Sequence, residues 1–445
     1  MTATTKRGPL GRRLADRVPE LLRDVAFRRY WTGQTISMFG DQVSSIALPL
    51  VAVLALHVGP TQMGILTALV WLPNLLFGLH AGAWVDRRGH RRAMMIVADL
   101  GRALLLTAIP VCYATGVLAL WQLYVVAFGV GSFGVLFTVS NPTLFVSLVP
   151  EDKYVTGNSL IYGSRAFSFM GGPSAGGLLV QLLSAPGAIL ADALSYLGSA
   201  FFLARIHPAE PPTAAKAEGS LMAGARFIKT SKIVRSSLIS VSIINFFNFV
   251  FAALVVLFAI RYLHVKPGVL GLVLGIGAAG SVIGALVTAR IAERIGIGRA
   301  YALGCLLFTA PCALVPAAAG PHWLILLMLA ACEFIIGLGV MMLDISIGAI
   351  FATVIPSELR SRVSGAFQAV NYGTRPLGAL AGGLLGTFIG TRTTLWLAAA
   401  GGTIGFLVLL PSPLTRFVMP STKDSDPRNS PADAGPDGVS ARTAA

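Results

Sequence analysis

Charge is scarce in this chain. Only 12% of its 445 residues are Asp, Glu, Lys or Arg, against about a quarter in an ordinary soluble domain. With 55% hydrophobic residues and a mean hydropathy of +0.75, too few polar groups remain to cover a surface facing water, which excludes a soluble fold. Cysteine is also scarce. Cys112, Cys305, Cys312 and Cys332 lie in apolar stretches without disulfide or metal-ligand spacing, and read as packing residues. The six histidines show no His-Glu-x-x-His spacing, and no Gly-Lys-Ser/Thr phosphate loop occurs. No metal, cofactor, ATP-driven step or enzymatic activity is therefore expected.

What the chain does have is apolar runs long enough to cross a bilayer, which takes about 20 helical residues for ~30 Å of hydrocarbon. Spans are predicted at 32–57, 61–83, 93–113, 119–146, 157–181, 187–206, 236–260, 268–291, 299–318, 322–350, 363–389 and 393–412. The runs are continuous where a barrel strand would alternate, so the expectation is an all-α membrane protein of twelve transmembrane helices. An even number of spans puts both termini on one side. Of the 34 Lys and Arg, three (Arg261, Lys266, Arg392) fall on the opposite side and three (Arg102, Arg165, Arg375) inside spans; the rest lie at the termini and in the even-to-odd loops. The positive-inside rule makes that side cytoplasmic, in the inner or plasma membrane. Topology thus accounts for the net charge of +15, and no nucleic-acid partner is implied.

Residues 1–31 form a basic N-terminus without the pattern of a cleaved signal. Within it, residues 6–29 read either as an interfacial amphipathic helix or as a solvated tail. Residues 32–206 make one six-helix bundle, 207–235 a cytoplasmic linker, 236–412 a second bundle, and 413–445 a tail whose end, from Ser421, reads as disordered. The bundles are related by an internal repeat. Gly176-Gly177-Leu178-Leu179 maps onto Gly382-Gly383-Leu384-Leu385, Pro150 onto Pro356, and Asp86-Arg87-Arg88-Gly89 onto Glu293-Arg294-Ile295-Gly296. Three matches in order at one offset argue for duplication around a central cavity.

The segment Gly82-Ala-Trp-Val-Asp86-Arg87-Arg88-Gly89-His90-Arg91-Arg92 follows span two. It resembles the signature loop of the major facilitator superfamily, Gly-x-x-x-Asp-Arg-x-Gly-x-Arg-Arg. Gly172-Pro173-Ser-Ala-Gly176-Gly177 in span five is similar to the end of the antiporter motif of drug exporters. Trp31-Thr-Gly33-Gln34 with Gly40-Asp41, Ala98-Asp99-Leu-Gly-Arg102, and Pro356-Ser-Glu-Leu359-Arg360-Ser-Arg362-Val363 resemble the drug-efflux branch, which includes macrolide and siderophore exporters. Span four departs from it, lacking the Arg that many proton-coupled members carry there. The resemblance implies alternating access of two halves, proton coupling, and export of hydrophobic or amphipathic small molecules, with no obligate protein partner. It also implies a cytoplasmic latch at Gly82, Asp86, Arg87, Gly89, Arg91 and Arg92, with Glu293, Arg294 and Gly296 as the second-half equivalent.

Physical chemistry sharpens the candidate sites. Gly82 permits a close helix approach, and Asp86 can accept hydrogen bonds from a helix N-terminus or from arginines. Gly172, Pro173, Gly176 and Gly177 put a kink and small residues on one helix face, suited to a sliding contact. Ionisable groups at depth cost at least ~2.5 kcal/mol in hydrocarbon unless they face a cavity or a partner. Asp41, about nine residues or ~14 Å into span one, is either a protonatable coupling residue or a carboxylate held by an arginine. Glu333 is a second proton site or a partner for a cationic substrate. Arg165 and Arg375 are expected as charge partners facing the cavity, paired with those acids. Asp99 and Arg102, three apart, predict a local ion pair near the cytoplasmic end. Asp192 and Asp344 read as lying near span ends. Trp71, Asn74, Phe133, Phe137, Tyr162, Phe246, Asn248 and Tyr372 are candidate cavity walls. The alternatives to drug export are a siderophore, lysolipid or nutrient cargo on the same fold, or a non-transporting membrane sensor.

Overall fold

The computed structural model describes residues 19–208 and 221–417, apart from the side chains of residues 79, 83, 86, 221–223 and 361. The segments 6–18 and 418–445, and with them most of the interfacial-helix reading and the tail, lie outside the described residues. All regular structure among the described residues is helical. In order, the twelve spans are Val25–Leu54, Pro60–Arg88, Arg91–Ala114, Leu120–Leu148, Tyr154–Leu183, Ala185–Ala204, Lys232–Arg261, Pro267–Ile295, Ile297–Ala317, His322–Val354, Arg360–Phe388 and Thr391–Leu409. Span one begins well before the predicted residue 32, because Asp24 accepts a hydrogen bond from Phe27 N at 2.7 Å and caps the helix there. Span nine is interrupted by a 3₁₀ turn, Ala310–Ala313, where Pro311 removes a backbone donor.

Among the described residues, eleven spans are long and apolar enough to cross a membrane; the exception is span eleven, Arg360–Phe388. Its helix is as long as its neighbours but carries Gln368, Asn371, Tyr372 and Arg375 at the spacing of one face. A span with a polar stripe is stable only where that stripe faces protein or a water-lined space.

The packing follows the repeat. Val43, Gly64 and Pro60 in the first half correspond to Val250, Gly271 and Pro267 in the second, and their contacts correspond as well. A Cβ on Gly176 would lie 3.0 Å from Val43 Cα, and one on Gly382 would lie 2.9 Å from Val250 Cα. A Cβ on Gly177 would meet Gly271 Cα at 2.8 Å, and one on Gly383 would meet Gly64 Cα at 2.8 Å. Real Cβ atoms do not come so close, so glycine is what allows spans five and eight, and spans two and eleven, to touch backbone to backbone. These two seams join the halves. Thr61 and Thr387, hydroxyls 2.7 Å apart, close the second seam.

Both seams lie on the face away from the termini. There the apolar core is one cluster shared by the halves, running from Val53 and Val58 to Leu263, Val265 and Ala318. On the terminal face the core splits into three. One part gathers Leu21, Tyr30, Leu144 and Ile206 of the first half, another Ile244, Tyr301, Ile350 and Leu414 of the second, and a third Ile228, Val234, Ile355 and Val363 of the linker and second half. The halves thus share one apolar core toward the face away from the termini and have separate cores toward the terminal face. The linker contributes a helix, Leu221–Thr230, whose Gly224 lies against the Arg362 backbone, docking it on span eleven.

Candidate functional site

The buried charges fall into two groups that the sequence does not connect. The first is built by spans one, three and six. Arg102 is buried, donates through Nη2 to Asp99 Oδ1, and holds Nη1 3.8 Å from Asp41 Oδ1. Its guanidinium lies over the rings of Tyr196 at 4.1 Å and Phe137 at 4.6 Å, an arrangement that stabilises a desolvated cation. The Tyr196 hydroxyl donates to Asp41 Oδ1. Asp192, one turn before Tyr196, is fully buried and accepts from Ser195 Oγ at 2.9 Å; its charge reaches both Asp41 and Arg102. Gly40 makes the assembly possible, since a Cβ there would collide with Asp192 and Ser195.

Two carboxyl groups therefore lie within ion-pair distance of one guanidinium, and a third, Asp192, is buried nearby. The Asp99–Arg102 ion pair expected from the sequence forms, buried and as part of this cluster. Asp192 is not a span-end residue, because span six begins at Ala185 and buries it completely. Asp41 differs from the other two acids. Its side chain is 45% exposed, and it shares that exposed face of span one with Ser45, one turn on. An apolar pocket of about 400 Å³ between spans one, five and six, walled by Phe39, Val43 and Phe167, reaches Asp192 from the other side.

The second group surrounds Arg375. The expectation that Arg165 and Arg375 pair with Asp41 or Glu333 is not met. Arg375 is held by π faces: Trp71 of span two at 4.3 Å, Tyr372 at 4.5 Å and Phe249 of span seven at 5.3 Å, with one hydrogen bond from Nη2 to Asn371 Oδ1 at 3.3 Å. Arg165 is exposed beside the Tyr162 ring, 5.7 Å away. Glu333 packs against span eight, its Oε2 3.5 Å from where a Cβ on Gly277 would sit, with no hydrogen bond or ion pair among the described residues. Asp344 is exposed on span ten rather than placed at a span end. No set of three or more His, Cys, Asp or Glu among the described residues is arranged to hold a metal.

The loop after span two turns on Gly89 and His90, both at positive φ (62° and 54°); Gly296, the counterpart of Gly89, also has positive φ, 89°. Arg92 donates to the carbonyls of Leu203 at 3.0 Å and Ala204 at 2.6 Å, capping span six. Arg91 is buried and Arg87 exposed. The close approach expected at Gly82 is not made in this conformation: a Cβ there would meet only Val139 Cγ1, at 3.9 Å. The side chain of Asp86 lies outside the described residues. Glu293 and Arg294 are exposed. Gly172 packs on Gln42, and Pro173, through its carbonyl, on Gly271.

Sequence reasoning missed Asp192, Tyr196, Phe249 and Asn371. The signal for the first two was present, an Asp and a Tyr four apart in an apolar span. Phe249 carries no such signal.

A profile described as the Major Facilitator Superfamily matches residues 30–373 and 238–441. An uncharacterized MFS-type transporter of Bacillus subtilis (strain 168), YfiS, is 27% identical over 368 residues, covering 80% of this chain and 86% of that protein. Among solved structures, the nucleoside transporter NupG, as a single-residue variant, superposes with a TM-score of 0.71 at 11% identity, over 87% of this chain and 99% of that one. A bacterial homologue of the iron transporter ferroportin, in an inward-facing state, gives 0.69 at 16% identity, over 90% and 100%. At such identities these structures share a fold with this chain and carry no substrate to it.

Proposed function

The chain belongs to the Major Facilitator Superfamily and is a multi-pass membrane transporter, and on that premise we propose that it is a proton-driven exporter of hydrophobic or amphipathic small molecules. The observation that carries this reading is the position of Asp41. It is the one exposed acid of an otherwise buried cluster, and it ties span one to spans three and six through Tyr196 and Arg102. A carboxyl that alternates between ionised and protonated forms alternately strengthens and releases that tie. Proton uptake at Asp41 is thereby linked to how the first half packs.

The terminal face is cytoplasmic in this reading, by the positive-inside rule. The separation of the cores toward that face then corresponds to a conformation open to the cytoplasm. Closure brings the second-to-third loop, with Asp86, Arg87 and Arg91, against the second half as a latch; Glu293, Arg294 and Gly296 serve its counterpart. The glycine seams at Gly172–Gly177 and Gly382–Gly383 act as the pivot. Glu333, without a hydrogen-bond or ion-pair partner among the described residues, is the second protonatable candidate.

The test is transport in proteoliposomes under an imposed pH gradient, with a panel of lipophilic dyes and macrolide-like compounds. Accumulation against the gradient, abolished in Asp41→Asn, is the expected result. Absence of movement with every gradient tried removes the antiporter reading, and coupling that survives Asp41→Asn but fails in Glu333→Gln moves the proton site to span ten.

A further inference from the structure

The polar stripe of span eleven calls for an explanation, since it is what keeps that helix below the hydropathy of the other eleven. Gln368, Asn371, Tyr372 and Arg375 occupy positions i, i+3, i+4 and i+7. Gln368 is exposed, and the next three are partly exposed. The stripe thus climbs from the terminal face toward the far-side seam, and Arg375 stands at its head where the halves meet. A cation placed there for structure alone would be neutralised by a carboxylate. Arg375 has none: no ion pair joins it to an acid among the described residues, although the charge of Asp344 on span ten reaches it. Of its five N–H donors, one goes to Asn371, and Nε–H is buried without an acceptor.

The surroundings specify what is missing. Trp71, Tyr372 and Phe249 present ring faces to the guanidinium from both halves of the protein, and Trp71 and Tyr372 are near-parallel, 19° apart, with centroids at 6.3 Å. Rings packed against a guanidinium leave N–H groups at its edge available. The edge is the part that pairs with a planar oxyanion through parallel N–H···O bonds. Flat apolar walls beside it suit an aromatic or acyl body.

We propose that Arg375, Asn371, Trp71, Tyr372 and Phe249 form a binding subsite for the carboxylate of an amphipathic organic acid. The proposal deepens the transporter reading, on which it rests for the subsite lying on the substrate path. Because Trp71 comes from the first half and the remaining residues from the second, a ligand here contacts both sides of the seam. Its binding therefore favours one packing of the halves over the other.

The experiment uses the purified full-length chain in lipid nanodiscs, titrated with 1-naphthoate and with the matched cation 1-naphthylmethylammonium, followed by calorimetry and tryptophan fluorescence. Wild-type protein should bind the carboxylate at least about tenfold more tightly than the ammonium, and Arg375→Gln should lose about tenfold or more for naphthoate alone. Trp71→Phe should retain most of the binding while losing most of the ligand-dependent fluorescence change. Equal affinity for the two probes, undiminished naphthoate binding by a folded Arg375→Gln protein, or a fluorescence change that persists in Trp71→Phe each overturns the proposal. The last holds even if Arg375→Gln fails to fold. Naphthoate binding that obeys these rules in a protein with no pH-driven transport retires the proton-driven exporter and leaves the subsite. Proton-driven export indifferent to Arg375→Gln, with no carboxylate preference in binding, does the reverse.

Discussion

The two halves share one backbone plan and differ at mid-depth. In the first half, spans one, three and six enclose Asp41, Asp99, Arg102 and Asp192. At the corresponding positions the second half has Asn248, Leu306, Thr309 and the neighbouring Ala398 and Ala399. Thr309 satisfies its hydroxyl within its own helix, on Cys305 O at 2.9 Å. Phe247 packs on Gly401 and Gly402 where the first half has a charged network. The situation reverses at span eleven: at the 206-residue offset of that span Arg375 and Tyr372 correspond to Phe169 and Ala166, neither of them charged. Duplication preserved the seams, where a methyl group too many would separate the helices. It left the middle of each half free to diverge, so the chemistry is asymmetric on a symmetric frame.

The sharpest way to break this comparison is to remove the cation from the first half. Arg102→Ala leaves buried carboxyls without a partner and should cost about 3–5 kcal/mol, read as a large loss of thermal stability in detergent. Thr309→Ala, its counterpart, should cost no more than about 1 kcal/mol. Equal costs would mean that the cluster is not a charged network in the folded protein.

The next effect tests what the halves share. Gly177→Val and Gly383→Val each force side-chain carbon into backbone and should each cost about 1–3 kcal/mol, with transport lost in both. A large effect in one and none in the other would show that the seams are not equivalent. Smaller in energy is Asp41→Asn, expected to cut pH-driven transport about tenfold or more, roughly 1.4 kcal/mol, with stability near wild type because the amide still accepts from Tyr196. Adding Asn248→Asp to it should restore nothing, since no arginine stands behind Asn248. The smallest effect is expected for Arg92→Gln. Two hydrogen bonds to the end of span six are lost on a partly exposed surface, about 1 kcal/mol in thermal unfolding.

Much of the frame was legible because it rests on one-dimensional signals. Apolar run length located the spans, the matched Gly-Gly-Leu-Leu segments located the repeat, and the loop around Asp86 carried the family. The glycine seams were legible as small residues on a helix face, though not which helices they would meet. The charged sites were read less well. Depth along a span can be counted, but the rotation of one helix against another cannot, and rotation decides whether Arg375 meets Asp41 or Trp71. Asp192 was underestimated because burial at a given depth is set by what packs there, here the backbone of span one at Gly40. Span nine shows the same limit: Pro311 and Pro316 are visible, but the 3₁₀ segment they produce depends on packing.

The placement of both seams near one face has a mechanical consequence. Span two has 29 residues, a rod of roughly 43 Å at 1.5 Å per residue. Pinned near one end, such a rod is a lever. A rotation of about 10° at the glycine contacts, small enough to be absorbed by sub-ångström sliding of backbone on backbone, sweeps the opposite end through roughly 7 Å by the same length. That displacement is comparable to the width of an aromatic ring system.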